Sequence, residues 1–446
     1  MNKNTISIKF AIVAACAVAT GALHAVPVVG QVSMTQNPAT RLVTIQYTLT
    51  GDPAVVTVDF QTNNVGTGAW VSIGGEKSAG VVGDVNRLVT KVGSACSIFW
   101  KPTKADAWPN QHIAGGNFRA VVKAWATNAP PPYMIVDLQN NPGETRYYPS
   151  AEAIPYGITN NLYKTTSIAF RLVPASLVQW RMGAPTTEKG QKYGTLDSSS
   201  TETPHLVAFT NDWYMGVYPV TQKQHKLFTN ANPSTSTNHF PETEAHPVET
   251  VHWTGLRGNH VSSGTKGDWP TDGHQLDSAS AIYKARTLMR LPSLDLPTEA
   301  MWEYACRAGT STATYAGDLT ASSENDADPV LERIAWYKAN SGGHTHTVGL
   351  KDANEWGFYD MLGNVGEFVL DEWNRANSGS MSTDSVVDPW GPETGVTYPS
   401  RIIRGGSGYN QNTYRTRAAK REGDYGHASA QSYRGYRLCC DAMALK

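Results

Sequence analysis

Charge is scarce in this sequence and nearly balanced: 37 Lys and Arg stand against 38 Asp and Glu, only 17% of residues are charged, and the net charge is −1. Such a chain sets up no basic field for nucleic acid and carries no acidic tail. Long apolar runs are missing as well. The one near the start is short, and nothing later approaches the roughly 18 consecutive apolar residues of a bilayer-spanning helix. Cysteine is rare, five in all. The sequence also contains no G-x-S-x-G, no H-E-x-x-H and no phosphate-cradling glycine loop, which removes the common hydrolase, metalloprotease and nucleotide-binding readings.

What is present is glycine, 40 residues, and tryptophan, 13, the composition of a loop-rich chain with many aromatic anchors. At 446 residues two domains are expected, each able to bury its own core. The start reads as an export leader: Lys3 and Lys9 form a weakly basic region, Phe10 to Val18 an apolar core, and Gly21-Ala22-Leu23-His24-Ala25 a small-residue cleavage site, with cleavage expected after Ala25. Val13-Ala14-Ala15-Cys16 mimics a lipoprotein cleavage box, but little apolar sequence precedes it and more follows, which favours ordinary secretion. The expected location is therefore periplasmic, cell-surface or secreted.

Residues 26–128 alternate short strands with turns. Leu42 to Thr48 is β-branched and alternating, Gly51-Asp52-Pro53 ends it, Ala54 to Phe60 follows at hairpin distance, and Phe118 to Trp125 is a further strand. This spacing predicts an all-β immunoglobulin- or fibronectin-like sandwich, serving as a spacer or adhesive module. Ala129-Pro130-Pro131-Pro132 predicts a stiff polyproline boundary, so that 129–172 reads as a Pro-rich linker with connecting strands. From residue 173 the pattern is mixed. Thr221 with Gln224 forms a capping box, Ile282, Ala285, Leu288 and Met289 recur at helical spacing after Asp277-Ser278, and Pro297-Thr298 opens another helix, with Met301 where a capping acid usually stands. Residues 376–400 read as an exposed loop rich in Ser, Gly and Pro.

Four motifs within this second domain belong together: Leu296 to Gly309, Gly357-Phe358-Tyr359-Asp360-Met361-Leu362-Gly363-Asn364-Val365-Gly366-Glu367-Phe368, Arg404-Gly405-Gly406-Ser407, and Gly435-Tyr436-Arg437-Leu438. In this order and spacing they resemble the formylglycine-generating enzyme (sulfatase-modifying factor) family, over about residues 173–440. The resemblance implies an α+β C-type-lectin-like fold. It also implies a structural calcium ion held by Asp360, the carbonyls of Gly363 and Val365, and Glu367, mixed oxygen ligands of the kind that ion takes. A second ion site of the family would begin at Asn340 and Ser341, but the compact turn from Gly342 to Val348 lacks the acid that completes it. Family members with a cysteine in the first motif often bridge it to the last strand. The pair implied is Cys306–Cys440, with Cys306–Cys439 as the alternative and unpaired core thiols as a third state. Strand alternation turns Cys440 the same way as Leu438 and Cys439 the other; Cys96 has no evident partner.

The family's reaction oxidises a substrate cysteine with O₂ through two cysteines that bind Cu(I), five residues apart after the Gly-Gly-Ser motif. Carried over by position they are Asn410 and Arg415. Soft thiolates select Cu(I), an amide and a fixed guanidinium do not, and copper is not expected here. A family tryptophan of the glycine loop is Gly366. His344 and His346 could bind metal as strand neighbours, but the sequence offers no third ligand, and exposed histidines are the simpler reading.

The last forty residues carry a recognition vocabulary of tyrosine with Ser, Asn and Gly, and resemble the variable segment of retroelement-diversified lectin-like proteins. The predicted ligand-binding cleft comprises Ser407, Tyr409, Asn410, Asn412, Tyr414, Arg415, Arg417, Arg421, Tyr425 and Tyr433, its arginines suited to anionic groups or sugars. Three functions compete: an exported protein that binds a protein or glycan ligand, an oxidoreductase of the family working at the same cleft, and a structural cell-surface component.

Overall fold

The computed structural model describes residues 25–442 apart from 65, 103–112, 114–115, 191–201, 236–242, 259–275, 374–385, 390–399, 407 and 424–429. Most of the expected leader and most of the loop 376–400 lie outside the described residues. No helix among the described residues is long and apolar enough to cross a membrane.

The N-terminal part is built from two sheets. Val28–Gln36, Val43–Thr50, Ala95–Trp100 and Val82–Gly83 pair in that order, and Trp70–Ser72, Ala54–Asn63 and Arg87–Val89 form the second sheet, with Phe118–Ala126 also paired to Ala54–Asn63. Alternation does the work: in Val43–Thr50 every second residue, Val43, Ile45, Tyr47 and Leu49, is buried, as a strand with one wet face requires. These side chains meet Val56, Val58 and Phe60 of the other sheet, and Phe60 stacks on Trp100 at 4.3 Å between ring centroids.

The stretch expected to be a linker is part of the second domain. Pro130 and Pro131 are buried, the Tyr214 hydroxyl donates to the carbonyl of Pro131 at 2.5 Å, and the N–H of Leu172 donates to that of Pro132 at 2.8 Å. Tyr133–Asp137, Glu144–Tyr148 and Ser167–Val173 supply three strands of a five-stranded antiparallel sheet completed by Trp213–Gly216 and Cys439–Asp441. Burial of Pro130 and Pro131 against the sheet removes the role of this stretch as a free spacer.

A second sheet places Ser400–Arg404 and Arg434–Tyr436 on either side of Gly366–Trp373, the last pairing parallel. Several helices among the described residues pack around these sheets. Gln222–Thr229 starts with the capping box of Thr221 and Gln224, Ala281–Met289 is capped by Ser280, and Glu299–Arg307 by Thr298, whose hydroxyl accepts from the Met301 N–H at 3.3 Å. All nine residues of the last helix are buried. It is the centre of the domain.

The two N-terminal sheets pack onto this domain. Val55 belongs to the same buried cluster as Met134 and Val136, the N–H of Tyr147 donates to Asn86 at 2.8 Å, and the N–H of Gly75 donates to Glu152 at 2.6 Å. The approach at Gly75 tolerates no side chain, since a Cβ there would lie 2.1 Å from the Ile154 carbonyl oxygen. Gly75→Ala is therefore expected to lower stability by roughly 1–3 kcal/mol through overpacking, read as a shifted midpoint in urea. An unchanged midpoint would mean that the two parts are not in contact there.

Candidate functional site

The strand Ser400–Arg404 ends in Gly405 and Gly406, both with positive φ, 86° and 82°, a backbone state that favours glycine. A Cβ on Gly406 would meet the Arg415 carbonyl oxygen at 2.7 Å, so the glycine pair lets the chain fold back on itself. Two short 3₁₀ turns follow, Gly408–Asn410 and Thr413–Arg415. Asn412 caps the second, its Oδ1 accepting from the Arg415 N–H at 3.2 Å, while its Nδ2 donates to Glu324. Asn410 is exposed and Arg415 half-buried, so both face the surface side of this turn pair.

Of the predicted cleft residues, Tyr409, Asn410, Asn412, Tyr414, Arg415 and Tyr433 are partly or fully exposed. The Tyr409 hydroxyl lies 3.1 Å from Ser432 Oγ, joining the two ends of the region, and the Tyr414 hydroxyl donates to the Ser322 carbonyl at 3.0 Å. Ser407 and Tyr425 lie outside the described residues. Two assignments are corrected. Arg417 is fully buried, its Nη1 and Nη2 donating to the Glu202 carboxylate at 2.9 and 3.0 Å and its Nη1 also pairing with Glu188. Arg421 is buried and forks onto Glu299 at 2.6 and 2.8 Å. Neither guanidinium is available to grip a ligand; a charge buried this deeply is held by its partner inside the protein.

These pairs belong to a larger lattice. Glu299 and Glu303 sit on the buried helix. Arg404, fully buried, reaches Glu303 through a short ion pair and Glu299 at 3.6 Å, and Arg307 closes on Glu303 at 2.8 Å one turn away. Burial works against the Glu303 anion, but Arg307, Arg404 and the Gly183 N–H together hold its carboxyl below the usual range. The i, i+4 spacing of Glu303 and Arg307 was visible in the sequence; the distant arginines were not.

The glycine loop has the same character. Glu367, fully buried, accepts from Arg437 Nη2 at 2.8 Å, from Arg437 Nε at 3.1 Å and from the Trp302 indole at 2.7 Å, so both its oxygens are engaged. Asp360 accepts from the Gly349 N–H at 2.6 Å and from Asn364 Nδ2 at 3.2 Å. Burial pushes its carboxyl up, opposed by that N–H, Arg437, Asn364 and Lys164. Arranged this way, the Glu367 charge faces the Arg437 guanidinium, and Asp360 is held by the Gly349 N–H and the Asn364 amide. Among the described residues no group of three or more His, Cys, Asp or Glu is placed to hold a metal ion. At the family's other ion position, Asn340 is likewise engaged, accepting from the Tyr337 N–H and donating to the Ala335 carbonyl.

Residues 176–442 match the family of sulfatase-modifying factor enzyme 1-like domains, well over half of the chain. The chain belongs to that family. The formylglycine-generating enzyme of Thermomonospora curvata is 32% identical over 154 residues, which cover 33% of this chain and 50% of that enzyme. The chaperone protein LppX of Paenibacillus barcinonensis is 29% identical over 233 residues, 45% of this chain and 78% of LppX. The chain thus spans about half the length of the first of these relatives. Among solved structures, Treponema denticola variable protein 1 aligns over 62% of this chain and 96% of its own at 24% identity, with a TM-score of 0.45.

Cys96, Cys306, Cys439 and Cys440 are all free and buried, and burial pushes the Cys306 thiol up to about 12. The implied Cys306–Cys440 bridge is not formed. Cys440 shares one buried cluster with Leu438 and Tyr214, whereas Cys306 lies in the other with Trp302 and Cys439, and the alternation expected of the strand is what separates them. His344 and His346 are half-buried rather than exposed: their rings lie 4.4 Å apart, and His346 stacks on Trp336 at 3.8 Å. A third imidazole, His246, bonds Thr345 at 3.2 Å; only the fold could bring it there.

The two kinds of arginine separate in stability. Arg417→Met strands the Glu202 and Glu188 carboxylates in the interior and is expected to cost about 3–5 kcal/mol in urea unfolding. Arg415→Gln, at a loose ion pair whose guanidinium is about one-third exposed, is expected to change stability by less than about 1 kcal/mol. Equal effects would contradict the assignment of Arg417 to the interior lattice.

Proposed function

We propose that this protein is an exported, non-catalytic binding member of its family, in which an immunoglobulin- or fibronectin-like sandwich serves as a spacer. A protein or glycan ligand is taken at the face formed by Tyr409, Asn410, Asn412, Tyr414, Arg415 and Tyr433. The observation that carries this reading is the sulfur inventory. The residues that resemblance aligns with the copper-binding cysteines are Asn410 and Arg415, no cysteine lies between Cys306 and Cys439 in the sequence, and the four cysteines among the described residues are buried. A cuprous centre needs paired thiolates at an accessible surface. Removing them while keeping the scaffold leaves a shaped face rich in tyrosine and amide groups, which suits recognition.

Two further points support it. One relative carries the name of a chaperone rather than of an oxidase, which accords with family members that work by binding. The structural role the family gives to calcium falls, in this reading, to Arg437, whose guanidinium already neutralises Glu367. When the full chain is incubated with a cysteine-containing sulfatase peptide, copper and O₂, mass spectrometry is expected to show unchanged peptide. Appearance of the formylglycine mass at catalytic turnover would overturn the reading in favour of a family oxidoreductase.

A further inference from the structure

The outward side of the second N-terminal sheet changes character along its length. Strand alternation turns Val55, Thr57, Asp59 and Gln61 to the opposite side from Val56, Val58 and Phe60, which fill the core between the two sheets. Val55 and Thr57 are buried, Val55 in the cluster that holds Met134 and Val136 of the second domain. Asp59 and Gln61 are partly open to water. The register sets Val121 opposite Asp59, and Ser72 and Arg119 on either side of Gln61; Ser72, Arg119 and Val121 are exposed. One end of this face is covered by protein and the other meets solvent.

A chain of hydrogen bonds crosses three strands at the open end. Ser72 Oγ donates to Asp59 Oδ1 at 2.5 Å, Gln61 Nε2 to Asp59 Oδ2 at 2.7 Å, and Arg119 Nε to Gln61 Oε1 at 2.8 Å. The Arg119 guanidinium lies over Trp70, 4.4 Å from the ring centroid, a contact that fixes its plane. One amide, that of Gln61, thus holds a carboxylate at one end and a guanidinium at the other. Among the described residues neither charge forms an ion pair, and Nη1 and Nη2 of Arg119 donate to nothing. Asp59 has about four lone-pair sites, of which Ser72 and Gln61 use only two.

We propose that this face binds a neutral glycan, Asp59, Gln61 and Arg119 meeting its hydroxyls and Val121 and Trp70 its C–H groups. The charge pattern selects the ligand class, because a group bound here must accept from Arg119 and donate to Asp59. A ligand carboxylate only accepts and is repelled by Asp59. A ligand ammonium only donates and is repelled by Arg119. A hydroxyl does both, and hydrogen bonds to charged partners are the strong ones. A pyranose carries hydroxyls around its rim and C–H groups on its faces, for which exposed Val121 and half-buried Trp70 supply apolar surface. The polar groups are held by one another before a ligand arrives, which lowers the ordering required. The N-terminal sheets then recognise a ligand of their own, independently of the Asn410 face.

The test titrates the full chain by calorimetry at constant ionic strength with cellohexaose, maltohexaose, mannohexaose and chitohexaose, and with hexagalacturonic acid as the acidic control. Saturable binding of at least one neutral chain is expected, weakened about tenfold or more in Asp59→Asn and in Arg119→Gln, the scale of one charge-assisted hydrogen bond lost. Both substitutions lie at the surface, and circular dichroism checks that each variant is folded. No binding of any neutral chain overturns the proposal, as does unaltered affinity in either variant. Hexagalacturonic acid binding as well as the neutral chains contradicts the charge argument and overturns it too. Binding that is lost in Arg415→Gln but kept in Asp59→Asn moves the glycan to the Asn410 face and ends the case for this one.

Discussion

The domain depends on two glutamates that have no access to water. Glu299 and Glu303 lie on a helix whose every residue is buried, and a carboxylate in such a place persists only if cations come to it. Those cations arrive from far along the chain: Arg404 from the strand before the glycine pair and Arg421 from the segment beyond the 3₁₀ turns. The same logic joins the other two motifs, since Glu367 of the glycine loop closes on Arg437 of the penultimate segment. Four motifs scattered through the sequence therefore converge for one reason. Each carries half of an ion pair that is unstable without the other half.

This lattice also shapes the surface. With Arg404, Arg417, Arg421 and Arg437 committed inside, the exposed face near Asn410 is left to tyrosines, amides and one partly exposed guanidinium, Arg415. The backbone there is fixed from below: Arg404 donates to the carbonyls of Ala419 and Lys420 at 2.9 and 2.8 Å, which holds the Lys420 segment against the core. The proposed binding face rests on buried ion pairs, an arrangement that lowers the ordering required when a ligand arrives.

Local order was legible in the sequence and long-range pairing was not. The capping box of Thr221 and Gln224, the start of the helix at Thr298 and the opposite facing of Cys439 and Cys440 all follow from spacing within a few residues, and all are present. The two-sheet N-terminal core was likewise visible in strand alternation. Arg417 and Arg421 read as ligand-gripping groups because their partners, Glu202, Glu188 and Glu299, lie more than a hundred residues away, and no local pattern reports such distances. The tyrosine-rich composition suggested exposure that the interleaved alanines, Ala418 and Ala419, contradict. The polyproline stretch misled for a related reason: composition reports stiffness but not what the stiff segment lies against. The expected disulfide failed on a side-chain direction that the strand period itself supplies.

The most direct measurement is Cu(I) affinity, by competition with a colorimetric chelator under anaerobic conditions, for the full chain and for Asn410→Cys/Arg415→Cys. If the scaffold is intact around a site without thiolates, the natural chain leaves Cu(I) with the chelator and the double variant withdraws about one equivalent. Stoichiometric, tight Cu(I) uptake by the natural chain would contradict it, because some thiolate pair would then have to reach the metal at this face.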